Sequence, residues 1–177
     1  MHRGLITILC LLAGFSGFAP RTEAAAFRST EYYCQVTLPD GSYVEPWFAM
    51  VPANESGVLT GARRRDFAAY VYVGIVDKKD QPHFVLDDKS IEQLDKSFFG
   101  PGLGFLNKTQ KINLRGVDGY RLIGRHHFNG RNYAMVVDLY YEHGLVYEVA
   151  GLSALYDDAL QDSDVLGFMR SFAILPN

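Results

Sequence analysis

Asn129-Gly130 sits between two runs of alternating apolar residues, Tyr120–Phe128 and Arg131–Tyr141. An Asn-Gly pair in that setting specifies a hairpin: a type I′ turn needs positive φ at both central residues, and these two adopt it at little cost. A two-residue loop sets Phe128 opposite Arg131. From there His126 opposes Tyr133, Gly124 opposes Met135, Leu122 opposes Val137 and Tyr120 opposes Leu139. Strand side chains alternate, so these residues share one face, which the pattern makes the core side. The other face pairs His127 with Asn132, Arg125 with Ala134, Ile123 with Val136 and Arg121 with Asp138.

Glu142-His143-Gly144 marks the next turn. A two-residue loop at His143-Gly144 would set Glu148 opposite Leu139 on the core face. A three-residue loop with Gly144 in a G1 bulge pairs Tyr141 with Leu145, Leu139 with Tyr147 and Val137 with Val149. Burying an unpaired carboxylate costs several kcal/mol, roughly, so the three-residue register is the expected one. It sets Asp138 opposite Glu148 and creates a polar strip of Arg121, Asp138 and Glu148, with Arg125, His127 and Tyr140 on the same face. The strip reads either as a ligand-binding groove or as a solvated charge ladder.

The first 26 residues read as an export signal: Met1-His2-Arg3, an apolar run from Leu5 to Phe18, and Ala24-Ala25-Ala26 as the cleavage site before Phe27. Cys10 lies inside the apolar run after Ile8-Leu9, without the small residue that precedes a lipidated cysteine. Cleavage leaves 151 of the 177 residues, the size of one domain (27–177), and no later stretch is apolar enough to span a membrane. Loss of Arg3, Arg21 and Glu23 takes the formal charge from −3 to −4. A mildly acidic chain does not suit nucleic acid, which wants a basic stripe. Cys34 is the one cysteine left, so no internal disulfide can form; it alternates with Tyr32 and Val36 as a buried free thiol would, intermolecular pairing being the alternative.

Along the rest of the chain, Glu31–Leu38 reads as a strand and Pro39-Asp40-Gly41 as a turn. Tyr43–Val51 reads as a further strand with Trp47 and Phe48 at the core, and Pro46 at an edge or break. The segment from Pro52 to Arg65 reads as a loop carrying Arg63-Arg64-Arg65. Asp66–Val76 is apolar on both faces, the mark of a central strand. Ser90 to Phe98 reads as a helix capped by Ser90, with Gln93 at the capping-box position and a stripe of Ile91, Leu94 and Phe98. Gly100 to Gly104 ends it and leads to a strand over Lys108–Arg115, which turns at Val117-Asp118-Gly119. A last helix, capped by Asp162 or Ser163, runs to Phe172 with Val165, Leu166, Met169 and Phe172 inward. Asn54-Glu55-Ser56 and Asn107-Lys108-Thr109 fit the glycosylation pattern.

No catalytic or metal motif is present: no Gly-x-Ser-x-Gly, no His-Glu-x-x-His and no Cys-x-x-Cys. His126 and His127 are adjacent on a strand, so they point to opposite faces and do not share a metal. His126 is expected beside Tyr133 and His127 at the surface. No metal or other cofactor is called for.

Gly119-Tyr120-Arg121-Leu122, Leu145-Val146-Tyr147-Glu148-Val149 and the closing Phe168-Met169-Arg170-Ser171-Phe172-Ala173-Ile174-Leu175 give residues 110–175 a resemblance to the PsbP-like and DcrB-like superfold of small exported proteins. The resemblance implies an antiparallel sheet with helices on its faces and an accessory or binding role. The residues themselves give the same class: α+β, a twisted antiparallel β-sheet built as a meander of hairpins, with a short helix and a C-terminal helix packed on it. The expected function is that of an exported (periplasmic or secreted), non-enzymatic binding or accessory protein with an unknown protein or small-molecule partner. Two alternatives stand beside it. One is a hydrolase using Asp138 or Glu148 as base and His127 as acid; the other is a secreted inhibitor acting through Ala62–Arg65.

Overall fold

The computed structural model describes residues 25–44, 57–128 and 130–177. The expected export signal up to Ala24, and Pro46, Trp47, Phe48, Asn54-Glu55-Ser56 and Asn129, lie outside them. Among the described residues ten strands and two α-helices follow in the order β1 (Ala26–Ser29), β2 (Cys34–Thr37), β3 (Tyr43–Val44), β4 (Gly57–Arg63), β5 (Ala69–Asp77), α1 (Asp88–Phe99), β6 (Gly104–Leu114), β7 (Val117–Phe128), β8 (Arg131–Glu142), β9 (Leu145–Ser153), α2 (Ser163–Ser171) and β10 (Ala173–Ile174). Seven strands form an antiparallel sheet in the order β3-β4-β5-β9-β8-β7-β6, and β1-β2-β10 form a second, small sheet. This is the α+β class the patterning predicts.

The β7–β8 hairpin has the predicted register throughout, from Phe128 opposite Arg131 to Tyr120 opposite Leu139 and Arg121 opposite Asp138. Both faces of the large sheet are covered, however. On one, Ile91, Phe98 and Phe99 of α1 pack over Leu122, Tyr133, Met135, Val137 and Leu139. On the other, Val165, Phe168 and Met169 of α2, with Cys34, Val36 and Leu38, pack over Val71, Val73, Val136, Tyr147 and Val149. The face predicted to be wet is therefore a second core. Cys34 is buried there as a free thiol, its pKa pushed up to about 12 by desolvation. As expected, β5 is central, between β4 and β9.

The β8–β9 register differs from expectation. The loop has two residues, with His143 at φ 55 and Gly144 at φ 75, so Glu142 opposes Leu145 and Glu148 opposes Leu139. Packing of α2 selects this arrangement. Gly151 faces Val165 so closely that a Cβ would lie 2.4 Å from its Cγ1. A one-residue flip would turn Ala150 or Leu152 toward that contact. Tyr147 points the same way, beside Phe172 at 5.9 Å, and its hydroxyl donates to the Tyr32 carbonyl at 3.0 Å.

Other boundaries move for local reasons. The first strand is shortened to Cys34–Thr37 and makes a hairpin with β1. Gly57–Arg63, expected as loop, is a strand that pairs with β5 through a bulge at Leu59; pairing outweighs its weak strand composition. The β6–β7 turn is Arg115-Gly116, held by Asn113, not Val117-Asp118-Gly119. Gly119 lies inside β7, where a Cβ would meet the Leu139 carbonyl at 2.4 Å. In α2, capped by Asp162, Phe168 takes the inward place assigned to Leu166. Helix α1 begins earlier than Ser90: Asp87 caps it, accepting from Ser90 N at 2.9 Å, while Ser90 Oγ accepts from Asp87 N at 2.9 Å. Asp87→Ala is expected to remove this cap and lower the melting temperature by a few degrees, measured by thermal unfolding.

Candidate functional site

The six residues predicted to share one groove do not meet. Arg121, Asp138 and Tyr140 do come together on the α2 side. The Arg121 guanidinium donates Nε to Asp138 Oδ1 at 2.6 Å and an Nη to Oδ2 at 2.7 Å, and Tyr140 OH donates to Oδ2 at 3.3 Å. Asp138 is 3% exposed. Burial first, and the Asp138 charge second, raise the Tyr140 pKa, so this hydroxyl stays a donor. The carboxylate is satisfied from inside the protein and offers no open valence to a ligand. Arg125 pairs with Asp157, and His127 Nδ1 lies 3.0 Å from Asn132 Oδ1.

Glu148 is on the opposite face, which separates it from Asp138 and His127. The thickness of the sheet thus splits Glu148 from His127, while Asp138, on the face of His127, is paired with Arg121 six residues back along β7. The arginine run is also engaged within the protein. Arg63 lies over the Phe67 ring at 4.1 Å, Arg65 over Tyr43 at 5.3 Å, and Arg64 pairs with Asp66 at 2.9 Å. These residues close the β4–β5 connection, with Arg65, Asp66 and Phe67 exposed at its turn.

On the α1 side, Glu148 belongs to a half-open pocket of about 380 Å³. Strand β5 contributes Tyr70 and Tyr72, β7 contributes His126 and Phe128, β8 Met135 and β9 Leu152; Phe98 and Ser97 of α1 and Val58 of β4 complete it. The sheet positions all the strand residues by alternation: Tyr70 and Tyr72 are two apart on β5, and Glu148 sits between Gly74 and Leu139 on the flanking strands. Gly74 leaves room for the carboxylate, since a Cβ there would lie 3.0 Å from Glu148 Oε2. Burial pushes the Glu148 pKa up to about 7, and burial together with that carboxylate raises Tyr72. Tyr70 and Phe128 meet edge to face, with centroids 5.3 Å apart at 88°. His126 opposes Tyr133 in the register, as expected, but its Nδ1 bonds the Phe98 carbonyl at 2.8 Å. A carbonyl only accepts, so Nδ1 carries the proton and the neutral ring keeps Nε2 as an acceptor.

Sequence reasoning found Glu148 but placed it on the wrong face, and it missed the aromatic wall. The available signal was Tyr70-x-Tyr72-x-Gly74 on a strand already read as central. Among the described residues no cluster of His, Cys, Asp and Glu suits a metal. No described helix is long and apolar enough to cross a membrane.

The fold is similar to that of cyanobacterial PsbP (CyanoP) from Synechocystis: 16% identity, 91% of this chain and 98% of that one covered, TM-score 0.59. The chain has a PsbP-like fold. The same fold appears in the Ran-binding protein Mog1p of Saccharomyces cerevisiae, at 9% identity over 87% of this chain and 96% of that one, with TM-score 0.53. No family model and no curated protein matches the sequence.

Proposed function

We propose that this chain is an exported, non-enzymatic binding protein whose small-molecule ligand occupies the pocket over Glu148. The observation that carries the reading is the pocket itself: a preformed, aromatic-walled cavity of about 380 Å³ with one carboxylate in its lining. Its size falls in the range of small-ligand sites, about 300–1,000 Å³, and a few polar groups in an apolar wall are what such sites use for orientation. A binding role also suits a fold that Mog1p, a Ran-binding protein, shares. Export is part of the same reading and rests on the signal-like residues 1–26.

The arrangement argues against hydrolysis in the same pocket. Ser97, His126 and Glu148 all line it. In a nucleophilic triad a carboxylate would hold Nδ1 of the histidine and the serine would reach Nε2. Here the Phe98 carbonyl holds Nδ1, and among the described residues no hydrogen bond joins any two of the three.

The test uses a neutral hydrophobic probe, N-phenyl-1-naphthylamine, whose fluorescence rises on entering an apolar site. Ser97 is exposed on α1 yet borders the pocket, so Ser97→Trp covers the mouth without touching the core. Wild-type protein is expected to bind the probe and Ser97→Trp to bind at least about tenfold more weakly. Equal binding by both would place the probe elsewhere and remove the reading.

A further inference from the structure

The pocket has a chemical asymmetry that its size alone does not explain. Among the described residues four phenyl and phenol rings line it, from Tyr70, Tyr72, Phe98 and Phe128, and no lysine or arginine does. Among the described residues Glu148 reaches the pocket with no opposite charge beside it and no hydrogen bond to its carboxylate. The other ionisable group in the lining, His126, has its Nδ1–H committed to the Phe98 carbonyl, so in its neutral form it too presents only an acceptor. With Glu148 ionised, the polar groups of the cavity thus accept and do not donate, apart from the hydroxyls. Aromatic faces carry negative quadrupoles and attract cations, most strongly when the site is desolvated. Two of the rings, Tyr70 and Phe128, stand at right angles, so an occupant of that corner meets one ring's face and the other's edge.

We propose that the ligand of this pocket is a small organic ammonium, an alkylated amine with an apolar body, held by the aromatic walls and paired with the Glu148 carboxylate. The inference rests on the pocket being the binding site, as proposed above. An ammonium supplies the counter-charge that the half-buried carboxylate lacks, so ligand and site desolvate as a neutral pair. A carboxylic acid or phosphate would instead bring a second anion beside Glu148, with no cationic side chain to offset it. The formal charge of the whole chain, −3, favours approach of a cation as well.

The experiment compares two probes of nearly equal shape, phenyltrimethylammonium and tert-butylbenzene, by chemical-shift titration of the protein at pH 8. The cation is expected to bind about tenfold tighter than the neutral probe, and Glu148→Gln to abolish that preference while still binding tert-butylbenzene. Tighter or equal binding of the neutral probe by the wild type overturns the ammonium assignment and leaves the pocket as a site for neutral hydrophobes. Binding of neither probe overturns both the assignment and the pocket reading. The wild-type comparison needs no variant, so a folding defect in Glu148→Gln would not obscure the result.

Discussion

Replacing Glu148 with glutamine is expected to stabilise the protein above neutral pH and to change little at pH 4. Burial moves this carboxyl from its usual 4.5 up to about 7. A carboxyl with a raised folded-state pKa holds its proton more tightly folded than unfolded. Its favourable contribution is therefore complete below pH 4.5, declines as pH rises, and is lost above about pH 7. A shift of this size is worth about 3 kcal/mol at pH 8, an order-of-magnitude figure. For a domain of this length that corresponds to a gain of about 6–12 °C in melting temperature for Glu148→Gln at pH 8, shrinking toward zero at pH 4. Tyr70, Tyr72 and His126 line the same pocket and are present in both proteins. The difference between the two melting curves, followed across pH, therefore isolates Glu148. A gap that stays constant from pH 4 to 8 would show that the carboxyl is solvated, and the account of the pocket floor would fail.

That destabilising carboxylate is also where sequence reasoning went astray. The β7–β8 register was legible because Asn129-Gly130 names its turn and one alternating set, from Tyr120 to Phe128, is plainly apolar. In β9 both sets are apolar: Leu145, Tyr147 and Val149 on one side, Val146, Ala150 and Leu152 on the other. Only Glu148 distinguished them, and the rule that buried charges are avoided pointed the wrong way. The deciding contact, Gly151 against Val165, joins β9 to a helix that follows it in the chain, and no local pattern contains it. The α+β class and the two covering helices follow from periodicity, which is local. The pocket does not, because it draws on five strands and α1 at once. A carboxylate kept in an apolar floor against its own desolvation is the kind of local conflict that binding sites retain.

Arg121→Ala is expected to destabilise the protein by about 3 kcal/mol, lowering the melting temperature by about 6–12 °C. Asp138 is 3% exposed and takes two guanidinium hydrogen bonds, at 2.6 and 2.7 Å. Without Arg121 the carboxylate keeps only Tyr140 OH at 3.3 Å and must remain charged in a core or take up a proton. Asp138→Asn is expected to cost less, about 1–2 kcal/mol, because the Arg121 side chain is 25% exposed and can turn its charge toward water. The double variant Arg121→Met/Asp138→Leu should recover most of the loss, since apolar residues of similar volume need no desolvated charge. Thermal or urea unfolding of the two single variants and the double closes the cycle, and a large coupling identifies a structural ion pair. Additive losses would mean that the two side chains act independently, which returns Arg121 to consideration as a surface group able to meet a ligand. Under the structural reading, phenyltrimethylammonium affinity at the Glu148 pocket stays the same in the double variant, because the sheet separates the two sites.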